Sequence, residues 1–172
     1  MTALDRANLA KPKAISRDIV MFLDFDGVTH PELSSQQGVF CCLPNIEAVL
    51  RDFPGVCIVI SSSWREQHHL AELQDFFCAD IAPRVIGVTP FCRDPKSDWQ
   101  PDTMPDVVFE RQWEIETWLT ANRPQGTPWI AIDDRPQWFR PDCPDLLVTS
   151  AATGFTVNDQ HTLRAMMKAR LS

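Results

Sequence analysis

Two aspartates stand two residues apart with a glycine directly behind them in Asp24-Phe25-Asp26-Gly27. One such carboxylate can bind a metal ion and attack phosphorus, giving an acyl phosphate on the protein. The other can protonate a departing alcohol and then activate water. Gly27 lets backbone N–H groups come close to phosphate oxygens. A second acidic pair, Asp133-Asp134, supplies further hard oxygen ligands. Together with Asp24 it suits Mg²⁺, an ion that keeps waters and avoids all-protein cages. The run Ser61-Ser62-Ser63 offers hydroxyls that can donate to a phosphate oxygen, and Arg111 is the first choice for the cation that balances a phosphate dianion. The chemistry these types can perform together is phosphoryl transfer.

The elements around them must bring distant segments together. Ile19-Val20-Met21-Phe22-Leu23 is an unbroken apolar run that stops at Asp24, and Val56-Cys57-Ile58-Val59-Ile60 stops at Ser61 in the same way. Trp129-Ile130-Ala131-Ile132 stops at Asp133, while Val85–Val88 and Leu146–Val148 are two shorter runs. Such segments suit strands buried on both faces of a parallel sheet. Helical patterns lie between them. One opens at Pro44, with Ile46, Val49, Leu50 and Phe53 on one face, and closes at Pro54-Gly55. A second carries Leu70, Leu73 and Phe77 at helical spacing, and a third covers 108–122 and buries Ile115, Trp118 and Leu119. The last starts at Thr156, where Thr156 and Asp159 can form a capping box, and buries Leu163, Met166 and Met167.

Strand–helix alternation predicts an α/β fold: one doubly wound, Rossmann-like, three-layer domain over residues 18–172, behind a loose lead-in over 1–17. The expected parallel sheet has about five strands in the order 3-2-1-4-5, with a short flap after strand 1. In that order the three strands ending in Asp24/Asp26, Ser61/Ser62 and Asp133/Asp134 are neighbours. Ligands bind beyond the carboxyl ends of such strands, at the switch point. Residues 90–106 are rich in Pro and Asp without a period, which marks a long functional or disordered loop.

Composition narrows the partners. The chain has 172 residues and a net charge of −7 without a Lys/Arg block, which argues against a non-specific nucleic-acid coat but not against a local basic groove. No stretch approaches ~18 uninterrupted apolar residues, so no membrane span is expected. The six cysteines show neither Cys-x-x-Cys pairs nor zinc-ligand spacing, and they read as reduced thiols in a cytoplasmic protein.

With these residues in place, the sequence resembles the haloacid dehalogenase-like (HAD) phosphohydrolase superfamily. Asp24-Phe25-Asp26-Gly27-Val28 looks like its first motif, and Ile58-Val59-Ile60-Ser61-Ser62 resembles its second. Arg111, ahead of Glu114-Ile115, looks like the third, basic motif, and Ile130-Ala131-Ile132-Asp133-Asp134 resembles the acidic fourth. Ser61-Ser62-Ser63-Trp64-Arg65 with Ile132-Asp133-Asp134-Arg135 is similar, more narrowly, to the HAD domains of Swiss-army-knife RNA-repair proteins. The resemblance implies Asp24 as nucleophile and Asp26 as general acid/base. Asp24, the Asp26 backbone carbonyl and one or both of Asp133 and Asp134 would hold Mg²⁺. Gly27, Ser61 or Ser62, and Arg111 would bind phosphate, with Lys96 a rival to Arg111. Only about sixteen residues separate Gly27 from Pro44, which allows a flap but no folded cap. An open site of that kind admits a nucleotide or a phosphorylated nucleic-acid end as well as small phosphate esters.

Plainer roles compete at several positions. The serine run can cap the helix that follows it, and Asp133-Asp134-Arg135-Pro136 can be a simple turn. Arg111 can be a solvated helix residue paired with Glu110 or Glu114. His68-His69 read as surface, and His30 as either a substrate contact or a solvated side chain. Trp113, Trp118 and Trp129 read as core, and Trp64 and Trp99 are the tryptophans to test against substrate. At the level of function, the phosphomonoesterase competes with a HAD-like phosphate- or protein-binding module and with phosphotransfer to an acceptor other than water. A receiver domain fails on order, because its phospho-acceptor ends the third strand and here that strand ends in Val88-Thr89-Pro90.

Overall fold

The computed structural model describes residues 19–35, 38–92 and 109–172. Five parallel strands form one sheet: β1 (Val20–Leu23), β2 (Cys57–Ile60), β3 (Val85–Val88), β4 (Trp129–Asp133) and β5 (Leu146–Val148). Their order is β3-β2-β1-β4-β5, the doubly wound order that the alternating pattern predicts. Among the described residues three α-helices connect strands, α1 (Leu43–Asp52), α2 (Leu70–Gln74) and α3 (Glu110–Asn122), and α4 (Val157–Leu171) follows β5. The proposed lead-in 1–17, Lys96, Trp99 and most of the 90–106 loop lie outside the described residues.

Every side chain of β1 is fully buried, and alternate residues go to opposite faces. Met21 and Leu23 join Ile58, Ile60, Ile130 and Ile132 under α1, α2 and α4. Val20 and Phe22 join Val59 and Ala131 under α3, where Ile115 and Trp118 close the layer. Phe22 meets the rings of Trp118 and Trp129 edge-on at 5.7 and 6.1 Å. Trp113 is only half-buried and belongs to neither cluster, so it is not the core residue its position in α3 suggests. Among the described residues no helix is long and apolar enough to cross a membrane.

The helix ends follow the local chemistry. Pro44 sits in the first turn of α1, where its missing N–H costs nothing. Thr156 and Asp159 form the expected capping box of α4. The helix expected through Leu70, Leu73 and Phe77 is broken up. Ser62 caps a 3₁₀ turn over Ser63–Glu66, a second capping box at His69 and Glu72 starts α2, and α2 stops at Gln74. Phe77 is buried all the same, beyond the helix end.

The segment from β1 to α1 forms the flap, and it is anchored at several points. The Val28 carbonyl accepts from the Phe155 N–H, the Thr29 carbonyl from Cys42 N–H, and the Ala151 carbonyl from Glu32 N–H, each at 2.8 Å. Phe40 takes φ +62, an unfavourable conformation for a bulky side chain. Its ring packs against Phe25, Trp64, Phe76 and His30, which offsets that cost.

Candidate active site

The register of the sheet decides which residues meet. Leu23 lies opposite Ile60 on one side and Ile132 on the other, so the next residues, Asp24, Ser61 and Asp133, leave the sheet at one level. The ladder continues for one more step, with Asp24 N–H donating to the Ile132 carbonyl and Ser61 N–H to the Leu23 carbonyl. Ligand oxygens of Asp24, Asp133 and Asp134 lie within 4.8 Å of one another. All three side chains are buried, and Asp133 Oδ2 and Asp134 Oδ2 have no hydrogen-bond donor.

Arg111 enters from the first turn of α3. Its Nε is 3.3 Å from Asp133 Oδ2 and its Nη2 4.0 Å from Asp24 Oδ1. The side chain is 6% exposed, so the solvated role is excluded. Nη1 has no hydrogen-bond partner, although Glu114 Oε2 lies 4.0 Å away. Three buried carboxylates thus face two guanidinium groups, Arg111 beside Asp24 and Asp133, and Arg135, whose Nε is 3.4 Å from Asp134 Oδ2. Burial, and next the Asp24 charge, push the Asp133 carboxyl up to about 8 against the opposing pull of Arg111. Asp134 is also raised, first by burial. Uncompensated buried charge with unused carboxylate oxygens is what a divalent cation relieves, and an all-oxygen donor set fits Mg²⁺.

Asp133 makes the turn weighed for it and leaves one oxygen on the cluster. Its Oδ1 accepts from the Arg135 N–H at 2.8 Å, making the turn, while Oδ2 faces the cluster. Gly27 has φ +70, and a Cβ built there would lie 2.5 Å from Asp134 Oδ2. The glycine is therefore needed for the approach of Asp134, a demand that the spacing of the first segment does not reveal.

The two serines differ in their local contacts. Ser62 Oγ accepts from Trp64 N–H at 3.4 Å and caps the 3₁₀ turn, while among the described residues no such bond engages the Ser61 hydroxyl. Arg65 fixes this strand end. It donates to the carbonyls of Ser61, Ser62 and Thr89 at 2.5, 2.8 and 3.1 Å, and its Nη2 is 2.8 Å from Glu114 Oε2. Glu114 Oε1 in turn accepts from the Cys92 N–H at 3.1 Å. Burial lowers Arg65 and raises Glu114 from their ordinary values, while their mutual attraction opposes both shifts. A cleft of about 200 Å³ opens beside Arg111 and Arg65, and Trp138 and Phe91 are among its walls.

Asp26 is not among the carboxylates of that cluster. Its side chain is 42% exposed, yet both oxygens are engaged. Oδ2 accepts from Trp64 Nε1–H at 2.9 Å, and His30 Nε2 lies 3.2 Å from Oδ1. His30 is thus buried against the acid, neither solvated nor a free substrate contact. His68, read as surface, is partly covered and stacks on Trp64 with ring centroids 5.6 Å apart. Residue types and spacing missed the tie between Arg65 and Glu114, and gave His30 and Trp64 different tasks. The one available signal is the run Ser61–Arg65, in which Trp64 and Arg65 leave the strand end on opposite missions.

No curated protein and no solved structure matches the chain. A family model does match, over residues 20–160, and its description is the HAD domain in Swiss Army Knife RNA repair proteins. This stretch holds every strand of the sheet and every residue of the cluster just described, and the chain belongs to that family.

Proposed function

We propose that this chain is a Mg²⁺-dependent phosphomonoester hydrolase that works through an aspartyl phosphate on Asp24. The observation that carries the reading is the meeting of Asp24 with Asp133, Asp134 and Arg111, where two carboxylate oxygens and one guanidinium nitrogen have no hydrogen-bond partner. Asp24, Asp133 and Asp134 would hold the ion, together with the Asp26 backbone carbonyl. When bound, Mg²⁺ supplies charge neutralisation between the carboxylates and a phosphate dianion.

The chain's own residues do the rest. The Ser61 hydroxyl and Arg111 bind the phosphate oxygens and hold phosphorus against Asp24, with Gly27 keeping the backbone close. An Asp24 oxygen bonds to phosphorus as the bond to the leaving oxygen breaks, and Asp26 gives that oxygen its proton. Asp26 then takes a proton from water as the water oxygen bonds to phosphorus. Inorganic phosphate departs and the Asp24 carboxylate is restored.

For substrate we favour a nucleotide or a phosphorylated nucleic-acid end. The RNA-repair description of the family supports this class, as does a flap too short to form a folded cap. All six cysteines are unpaired, which supports a reducing, cytoplasmic setting. The test is hydrolysis of 4-nitrophenyl phosphate with and without Mg²⁺ by the wild type and by Asp24→Asn, followed by oligonucleotides phosphorylated at either end. Metal-dependent turnover lost in Asp24→Asn is the expected result, and equal activity in the two proteins overturns the reading.

A further inference from the structure

We infer that the indole N–H of Trp64, with His30 beside it, holds the Asp26 carboxyl in its proton-transfer position, so that Trp64 is a positioning residue for the proton step. The inference rests on the role of Asp26 proposed above and adds the device that makes an exposed acid usable. A side chain 42% open to solvent is only partly held by packing. Two hydrogen bonds, one to each oxygen and from neighbouring rings 6.0 Å apart, supply the missing restraint.

Trp64 is well fixed to serve as a donor. Its ring meets Phe25, Phe40 and Phe76 at centroid distances of 5.7, 5.4 and 5.7 Å. Its backbone N–H is held by Ser62 Oγ. The side chain is therefore set by the core below it and by the end of β2 behind it, and its N–H reaches Asp26 Oδ2 at 2.9 Å. An indole is a donor only, so this bond has one polarity.

The other side depends on the tautomer of His30. Thr29 Oγ1 lies 3.0 Å from both the Phe25 carbonyl and His30 Nδ1, and its single proton serves one of them. The Phe25 carbonyl already accepts from the N–H groups of Val28 and Thr29 at 3.1 and 2.8 Å. Donation from Thr29 to Nδ1 therefore leaves no group unpaired and puts the ring proton on Nε2, facing Asp26 Oδ1. Each Asp26 oxygen then accepts one bond and keeps a second lone-pair direction open for substrate.

The consequence is chemical. Proton donation matters most when the leaving oxygen is a poor anion, and least when it is a good one. Misplacing Asp26 should therefore cost more for phenyl phosphate than for 4-nitrophenyl phosphate. The quantity kcat/KM reports the steps up to departure of the leaving group, so the comparison isolates the first half-reaction. A positioned acid contributes 10²–10⁴-fold, and loss of one of its two restraints should remove about tenfold of that.

The test compares wild type, Asp24→Asn and Trp64→Phe on both esters. Phenylalanine keeps an aromatic ring on Phe25 and Phe40 but cannot donate. The expected result is that the ratio of kcat/KM for phenyl over 4-nitrophenyl phosphate falls about tenfold in Trp64→Phe. An unchanged ratio in a folded, active Trp64→Phe overturns the inference. Equal activity of wild type and Asp24→Asn sinks the aspartyl-phosphate reading instead. Where Trp64→Phe fails to fold, replacing Trp64 by 3-benzothienylalanine keeps the bicycle and removes only the donor. If the wild type turns over neither ester, the Trp64 indole N–H resonance decides. It must shift and exchange faster with solvent in Asp26→Ala, and no change there overturns the inference.

Discussion

Gly27 and Asp134 approach so closely that no side chain fits between them: a Cβ on Gly27 would fall 2.5 Å from Asp134 Oδ2 and 2.6 Å from its Cγ. The chain's first acidic segment and its fourth strand end are thus fitted to each other through one missing carbon. Gly27→Ala must move Asp134 out of the cluster as well as strain φ +70. The strain costs roughly 1–2 kcal/mol, and displacing a carboxylate of the cluster should weaken Mg²⁺ binding about 10–100-fold. Thermal melts with and without Mg²⁺ read both effects. A variant that binds Mg²⁺ as tightly as wild type would remove Asp134 from the ligand set.

Arg111 offers a sharper separation of anion from cation binding. Its Nη1 has no hydrogen-bond partner, and its other nitrogens face Asp24 and Asp133. Charge-assisted hydrogen bonds to phosphate contribute roughly 1.5–3 kcal/mol. Arg111→Ala should therefore weaken inhibition by inorganic phosphate about 10–100-fold, while Mg²⁺ affinity holds or rises because a competing cation has gone. Arg111→Lys keeps the charge and should recover part of the loss. Unchanged phosphate inhibition in Arg111→Ala would assign the anion site to another residue.

Arg65 should act on stability more than on chemistry. The guanidinium ties the carbonyls at the ends of β2 and β3 to Glu114 on α3, and its side chain is 3% exposed. Removing one partner of a buried, hydrogen-bonded ion pair typically costs about 3–5 kcal/mol. Arg65→Ala should lower the urea midpoint accordingly, and Glu114→Gln should lower it less because its hydrogen-bonding capacity survives. Equal midpoints for Arg65→Ala and wild type would show that this network is dispensable.

Much of this architecture is legible in the order of residues, for a physical reason. Strands buried on both faces are unbroken apolar runs, and each stops where a polar residue is first needed. Asp24, Ser61 and Asp133 mark those stops, and the doubly wound order then makes them neighbours. The division between Ser61 and Ser62 is not legible, because it depends on which hydroxyl caps the 3₁₀ turn. The convergence of Trp64 and His30 on Asp26 is hidden for the same kind of reason. Their partners are 38 and 4 residues away, and neither spacing has a period that announces contact. The interruption between Ser63–Glu66 and α2 is also a capping effect, which overrides the apolar spacing of Leu70, Leu73 and Phe77.

Cys42 reports on whether the flap stays seated. Burial, with the neighbouring Cys41 adding to it, pushes the Cys42 thiol up from 9.0 to about 11. A raised thiol is favoured in its neutral form by the fold. That contribution to stability is fully present below pH 9 and is lost as pH rises through about 11. At pH 8 little thiolate exists, so iodoacetamide should modify exposed Cys41 well before buried Cys42. Peptide mapping by mass spectrometry checks the order. Equal rates would mean that the contact of Cys42 N–H with the Thr29 carbonyl opens readily.

The nucleophilic role of Asp24 is tested most directly by quenching the protein in acid during turnover of 4-nitrophenyl phosphate with Mg²⁺ and mapping the modified peptide. One phosphoryl group on Asp24 in the wild type, with none in Asp24→Asn, is the predicted result. A phosphoryl group on any other residue, or undiminished turnover by Asp24→Asn, would contradict it.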